Sequence, residues 1–194
     1  IESVQKIQKH KKKWTINSNK EHFDRVIIAT GTAPKEWFPN LKLSKQGGSL
    51  LQIPCDKSIN HLFSLDGLHV GKHNSGDWVI GSTRWHHMPD SNSEVQRLQE
   101  KLATMFPELI QGTPTSLWSG NRCIYPSDRM PLCGELPHRK GIHVLTALGS
   151  KGMLWGPFSA KKLCENILQK TKIPKIIELM RAKQNDGWFS DKIH

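Results

Sequence analysis

No Gly-x-Gly-x-x-Gly run occurs in the 194 residues, so they carry no glycine-rich phosphate loop of that kind. No Cys-x-x-Cys pair occurs either. The four cysteines, Cys55, Cys123, Cys133 and Cys164, point to reduced thiols, with neither a disulfide framework nor a zinc site expected. No Ser/His/Asp triad and no catalytic pair of carboxylates is visible. The adjacent His86 and His87 would point to opposite faces of a strand, so no shared metal is expected there. No apolar run is long enough to span a bilayer. No charged-then-apolar leader is expected, and no repeat or low-complexity segment is visible in these residues. A cytoplasmic protein without a membrane partner is expected. The first residue is Ile1, and an excerpt of a longer polypeptide is expected. Acidic residues are few: 17 Asp+Glu stand against 28 Lys+Arg, for a net charge of +11. A basic balance favours polyanionic partners, nucleic acid among them.

What is present is organised around residues 141–169. Ile142, Val144 and Leu145 read as a short buried strand. Gly149-Ser150-Lys151-Gly152 breaks the pattern, and Ala160, Leu163, Cys164, Ile167 and Leu168 then recur at helical spacing on an apolar face. Glycine turns let backbone N–H groups approach a ligand closely, and the helix that follows aims its positive end at the turn. A purely structural connection remains the alternative reading of such a stretch.

Taken in order, residues 4–7 and 14–17 read as a hairpin around the run Lys9-His-Lys-Lys-Lys, a solvated hairpin end. Residues 26–29 are continuously apolar and fit a strand buried on both faces of a parallel sheet. Thr30-Gly31 ends it, where open α/β sheets bind ligands. A strand Ser49-Leu-Leu-Gln-Ile follows Gly47-Gly48. Turns at Asp66-Gly67 and at Asn74-Ser75-Gly76 mark two hairpins, so the middle of the chain reads as antiparallel sheet. Ser91 with Glu94 fits a capping box for a helix carrying Val95, Leu98, Leu102, Met105 and Phe106, which ends at Pro107. Pro174 opens a short helix with Ile176, Ile177, Leu179 and Met180, and Gly187-Trp188-Phe189 leads into a tail.

Between these lies Gly120-Asn-Arg-Cys-Ile-Tyr-Pro-Ser-Asp-Arg-Met-Pro-Leu-Cys-Gly. Apolar and aromatic residues surround Arg122. Two readings stand side by side: a guanidinium fork for a ligand carboxylate, or a structural ion pair with Asp128.

Together these stretches resemble the FAD-dependent oxidoreductases of the D-amino acid oxidase (DAO) type, which include glycine and sarcosine oxidases. The resemblance runs over residues 23–169: Ala29-Thr-Gly31, Gly81-Ser-Thr83, Gly120-x-Arg122 with Asp128-x-x-Pro131-x-x-Gly134, and the strand-Gly-x-x-Gly152-helix. Gly-x-Arg122-Cys123 and Ala147-Leu-Gly-Ser-Lys-Gly152 are similar to segments of the MnmC-type branch, bifunctional enzymes of tRNA wobble-uridine modification. Ser150 stands where glycine oxidases tend to carry arginine.

The resemblance implies an α+β / α/β fold. A mainly antiparallel substrate-domain sheet with a flanking helix would join the trailing part of a Rossmann-like FAD-binding domain. Residues 1–36 would end the FAD domain, 37–140 form the substrate domain, 141–173 return to the FAD domain, and 174–194 form a terminal helix and tail. The cofactor would be FAD. Thr30 and Gly31 would lie near the dinucleotide, with Gly149, Ser150, Lys151, Gly152 and Met153 at the flavin ring. Arg122 would be the catalytic anchor of a substrate carboxylate, with Tyr125 and Arg129 also substrate-binding. Ile124-Tyr-Pro-Ser departs from the family pattern, and Arg129 stands out of register with a family arginine. The implied reaction oxidises a CH–NH bond, removing the carboxymethyl group of carboxymethylaminomethyl-uridine in tRNA as glyoxylate. A small amine such as glycine or sarcosine is the alternative substrate, and a non-catalytic tRNA-binding module the alternative function. The missing amino-terminal part of the same polypeptide would be needed for FAD binding and turnover.

Overall fold

The computed structural model describes residues 4, 6–17, 21–32, 41–54, 61–81, 84–87, 89–109, 112–137 and 139–182. The elements are β1 (Ile7–His10), β2 (Lys13–Ile16), β3 (Val26–Ile28), β4 (Ser44–Ile53), β5 (Phe63–Leu65), β6 (Leu68–Lys72), β7 (Trp78–Gly81), α1 (Ser91–Met105), β8 (Ser116–Ile124), β9 (Leu132–Glu135), β10 (Ile142–Thr146) and α2 (Gly152–Gln169). Short 3-10 turns follow α1 (Pro107–Leu109) and precede α2 (Gly149–Lys151). The mixture of antiparallel sheet and two long helices is the expected α+β architecture. The chain divides into two compact units, residues 1–44 with 122–194, and residues 45–121.

The unit of residues 45–121 is built on a five-stranded sheet of order β5-β6-β7-β4-β8. Asp66 and Gly67 turn β5 into β6 with φ of 45° and 71°, the left-handed pair that tight hairpins require. β4 runs straight through Gly47-Gly48, five residues longer than the pattern after the glycines indicated at that end. The Trp85 ring lies where a side chain on Gly47 would stand, 1.9 Å from an added Cβ, so glycine permits the packing. α1 buries Leu98 and Leu102 completely against Val70, Trp78 and Ile80. Each such leucine contributes about 1.5–3 kcal/mol. The cap of α1 is Asp90 and not Ser91: its carboxylate accepts from the Ser93 N–H at 2.9 Å and the Ser93 hydroxyl at 3.1 Å. Glu94 is buried instead, 4.0 Å from Arg97.

In the other unit β1 and β2 form the expected hairpin, which turns at Lys11-Lys12. A separate sheet has the order β3-β10-β9, parallel between β3 and β10 and antiparallel between β10 and β9. Val26, Ile28, Leu132, Ile142 and Val144 line one face and pack with Trp14, Tyr125 and Leu179. On the other face Cys133 and Leu145 meet Leu163, Trp155 and Ile167 of α2. Ile27 shares this second face but is 51% exposed, so β3 is buried on one side only, contrary to its apolar run. Because β9 pairs with β10, residues 122–140 cluster with this sheet and not with the preceding segment of the expected 37–140 domain.

Two details near α2 differ from the sequence pattern. Cys164 is exposed, one helical step round from the inward Leu163. The segment after Pro174 is not a helix at first. The Ile177 carbonyl accepts from Cys133 N–H at 2.8 Å and the Leu179 N–H donates to Cys133 O at 2.7 Å, which caps the free edge of β9. Only residues 180–182 turn helically, and the tail beyond lies outside the described residues.

His143, at the centre of the sheet, is 2% exposed, and neither ring nitrogen has a hydrogen-bond partner among the described residues. Burial pushes its pKa below the ordinary imidazole value, against the opposing pull of Glu135 and with a further push from Arg25. The folded protein therefore keeps His143 neutral where the unfolded chain is protonated. Stability should be undiminished above about pH 6.5 and fall as the pH drops below it. His143→Leu should flatten the fall in denaturant midpoint between about pH 7.5 and about pH 5. An equal fall in both proteins would assign the loss to other groups.

Candidate functional site

β3 and β10 run parallel, so their carboxyl ends lie side by side. Thr30 and Gly31 leave the end of β3. Both are exposed, and Gly31 has φ 68° with nothing within 4 Å of where a Cβ would stand. Thr146 ends β10, and its hydroxyl donates to the Gly31 carbonyl at 3.3 Å. The same Oγ1 lies 3.7 Å from Cys123 Sγ on β8. The Thr30-Gly31 turn is thus tied to both β10 and the end of β8.

Beyond Thr146 the backbone alternates in hand. Ala147 has φ 58°, Leu148 φ −65° and ψ −22°, and Gly149 φ 59°. Alternation of this kind turns successive N–H groups toward one point and forms an anion-binding concavity. Ala147 is 1% exposed, and a left-handed alanine costs about 1–2 kcal/mol. That strain is held by the surrounding core at a strand end, where strained backbone commonly serves a site.

The 3-10 turn Gly149–Lys151 runs directly into α2 at Gly152. No side chain caps α2, and its first turn has no acidic residue. The first N–H groups of an 18-residue helix are therefore free of any capping side chain, with Lys151 beside them. Ser150 and Lys151 are exposed, Met153 is 95% exposed, and Leu154 is exposed beside it. The two framing glycines differ in kind. Gly149 is required by its positive φ and by Ile124 Cγ2, 3.2 Å from an added Cβ. Gly152 is right-handed with φ −58°, and the nearest atom to an added Cβ is 3.5 Å away. The fold does not need a glycine there, whereas a close ligand would.

Arg122 comes to this turn on the last residues of β8. Ile124 bridges Leu148, just before the turn, and Arg122 shares the face of Ile124 two residues earlier. Arg122 is partly buried and makes no ion pair or hydrogen bond with another described residue. A partly buried guanidinium without a partner is costly unless an anion completes it. Asp128, the alternative partner, is taken. Its carboxylate receives Arg181 Nε at 2.9 Å and Nη2 at 3.1 Å, and the Met130 N–H at 2.9 Å. Burial pushes the Asp128 pKa up, but these hydrogen bonds and the Arg181 charge outweigh it and hold the carboxylate below its usual range.

The structure therefore brings Thr30, Gly31 and residues 149–153 to the carboxyl ends of β3 and β10, and the Ile124–Leu148 bridge brings the end of β8, with Arg122, beside them. It does not bring Tyr125 to a ligand-accessible surface. Tyr125 is 0% exposed, with the Arg181 guanidinium 5.6 Å from its ring centre, and it belongs to the core. Arg129 is exposed in the following turn with φ 57°. Ser82 and Thr83 lie outside the described residues. Three contributors escaped the sequence reading. Arg181 lies 53 positions from Asp128, Thr146 carries no motif, and the left-handed Ala147 has no compositional sign.

The model of the DAO family, FAD dependent oxidoreductase, matches residues 2–166. The tRNA 5-methylaminomethyl-2-thiouridine biosynthesis bifunctional protein MnmC of Marinobacter nauticus (strain ATCC 700491 / DSM 11845 / VT8) is 25% identical over 187 residues, covering 83% of this chain and 29% of that protein. Glycine oxidase from Geobacillus kaustophilus superposes with a TM-score of 0.73 at 21% identity, over 88% of this chain and 49% of that one. Glycine oxidase from Bacillus cereus ATCC 14579 gives 0.75 at 19% identity, over 90% and 52%. The chain thus spans about half the length of these solved structures and less than a third of the curated relative. The glycine oxidases share its fold, and the family match over residues 2–166 agrees with the motifs read from residues 23–169. The chain belongs to the DAO family of FAD-dependent oxidoreductases.

Proposed function

We propose that this chain is part of an FAD-dependent amine oxidoreductase that removes the carboxymethyl group from carboxymethylaminomethyl-uridine in tRNA. The observation that carries the reading is Arg122, a partly buried arginine with no described partner, on the strand face that meets the glycine turn. The 25% identity to MnmC and the net charge of +11 support the tRNA substrate, and through it a cytoplasmic place of action. The fold shared with glycine oxidases keeps a free amino acid as the second reading.

The residues present fit FAD. Gly31 leaves open space for a phosphate or ribose, the concavity at residues 147–149 suits an electron-rich ring edge, and Gly152 admits a flat ring close to the backbone. Thr30, Gly31 and residues 149–153 would hold it. Bound FAD supplies the two-electron acceptor for the substrate's C–N oxidation. The chain's own part is positioning. Arg122 grips the substrate carboxylate through a two-pronged hydrogen bond and so fixes the adjacent CH₂–NH group. The unacidic first turn of α2 favours negative charge beside it by about 0.3–1 kcal/mol, up to ~2 when partly buried. No acid–base dyad is needed, because hydrolysis of the oxidised C–N bond completes the release of glyoxylate and leaves the aminomethyl nucleoside.

The unit of residues 1–44 with 122–182 would be the trailing part of the FAD domain, and the unit of residues 45–121 the main part of the substrate domain. In the full-length protein Arg122→Ala should lower kcat/KM for the carboxymethylated substrate between about 30-fold and 5,000-fold, the equivalent of about 2–5 kcal/mol. Flavin absorbance should be retained. Oxidation at the wild-type rate would remove Arg122 from the site. Turnover of free glycine with no change in tRNA nucleosides would favour the second reading.

The two glycines test the cofactor turn separately. Gly149→Ala should lower stability by about 1–2 kcal/mol in a denaturant titration. Gly152→Ala should leave stability unchanged or raise it by about 0.4–1 kcal/mol while weakening flavin retention. A Gly152→Ala protein that keeps its flavin through dialysis would show that the ring does not approach there.

A further inference from the structure

The far end of α2 carries a second feature that the oxidative site does not use. An open basin of about 860 Å³ lies there, and five lysines line it: Lys9, Lys140, Lys170, Lys172 and Lys175. They come from three separate parts of the chain: β1, the β9–β10 turn and the segment after α2. All five are exposed. Lys140, Lys170, Lys172 and Lys175 make no ion pair with a described residue. Elsewhere the lysines do find carboxylates: Lys162 lies 2.8 Å from Glu165, Lys13 3.7 Å from Asp24 and Lys101 3.8 Å from Asp66. Two carboxylates also line the basin, Glu135 and Glu178, and Glu135 Oε1 is occupied by the Gly141 N–H at 2.6 Å.

The lysines stand on a fixed backbone. Trp14, 3% exposed, donates from Nε1 to the Lys140 carbonyl at 3.3 Å and receives the Lys9 ammonium 5.8 Å from its ring centre. Lys170 caps α2 in the left-handed conformation, with φ 56° and its N–H on Asn166 O at 3.0 Å. Asn166 Nδ2 donates to Thr171 O at 2.6 Å and holds the chain that carries Lys172. A lysine near the last turn of a helix complements the helix dipole, but that effect fades within one turn. It accounts for Lys170 and leaves the convergence of Lys9, Lys140 and Lys175 from other segments unexplained.

We infer that this basin binds the phosphodiester backbone of RNA. The inference rests on the tRNA reading above and adds where the RNA is held. α2 has 18 residues, so the basin lies about 26 Å along the helix from the glycine turn. A small amine cannot touch both ends, whereas a polynucleotide can place one nucleotide at the turn and its flanking phosphates in the basin. Lysine suits this task as a flexible point charge that neutralises phosphates without reading bases.

The test uses the full-length, FAD-loaded protein with Lys140→Ala, Lys170→Ala, Lys172→Ala and Lys175→Ala combined. Binding of tRNA is measured by anisotropy over a range of salt concentrations, and oxidation of free glycine is followed on the same samples. The slope of log K against log salt should shrink in magnitude by about 3, since each phosphate contact contributes about 0.7–0.9. Flavin absorbance and any glycine turnover should not change. The pair Lys140→Gln with Lys172→Gln should give about half that reduction, which guards against a folding defect in the fourfold variant. A wild-type slope in both variants would overturn the basin while leaving the tRNA reading intact. A wild-type protein that neither binds nor modifies tRNA but oxidises glycine would overturn both.

Discussion

Three paired positions, Val26 with Ile142, Ile27 with His143 and Ile28 with Val144, join segments more than a hundred residues apart in the chain. Parallel pairing puts both carboxyl ends at the same edge, where the Thr146 hydroxyl locks the Gly31 carbonyl across 115 positions. Without that pairing the Thr30-Gly31 turn and the glycine turn before α2 are unrelated loops. With it they stand side by side at one edge and frame the candidate site. Antiparallel pairing of β9 to β10, and a parallel bridge of the Ile177–Leu179 backbone to Cys133, then fix the free side of the sheet. The strain at Ala147 is tolerable only because the core below it is closed.

Arg122 and Arg181 differ in how their charge is met. Arg181 is saturated: it binds both oxygens of Asp128 and also the carbonyls of Met130, Pro131 and Glu178. It also covers the Tyr125 ring, so one guanidinium fastens the segment that follows β8 to the residues near 180. Arg122, at the end of β8, makes no ion pair or hydrogen bond with another described residue. Had Asp128 paired with Arg122, the guanidinium at the strand end would be neutralised from within the chain. The ion pair with Asp128 that the sequence offered to Arg122 belongs instead to Arg181.

Much of this was legible because it is local. The β5–β6 hairpin follows from Asp66-Gly67, α1 from its apolar spacing, and the strand-turn-helix of residues 142–169 from apolar residues broken by glycines. The glycine turn and Arg122 carried motifs with chemistry attached. What was not legible depends on partners distant in the chain. The exposure of Ile27 could not be read from an apolar run, because burial is set by what covers the second face. The strand-like course after Pro174 depends on the open edge of β9, and the full burial of Tyr125 on core residues brought together from both ends of the chain. Asp90 displaced Ser91 as the cap because Asp, Asn and Ser are nearly equal there, and the choice falls to backbone geometry.

The division of the chain bears on the order in which it becomes structured. One unit is continuous, residues 45–121, while the other is assembled from segments on either side of it. The continuous unit begins and ends on β4 and β8, neighbours in one sheet. Once formed, it replaces a long loose connection between β3 and β10 with a short one. Closing a chain loop costs entropy that grows with the logarithm of its length, so this shortening favours the β3–β10 pairing by about 1 kcal/mol. The inserted unit thus acts as an internal splint for the sheet that carries the candidate site. Damage confined to residues 45–121 would accordingly be felt as slower assembly of strands it never includes.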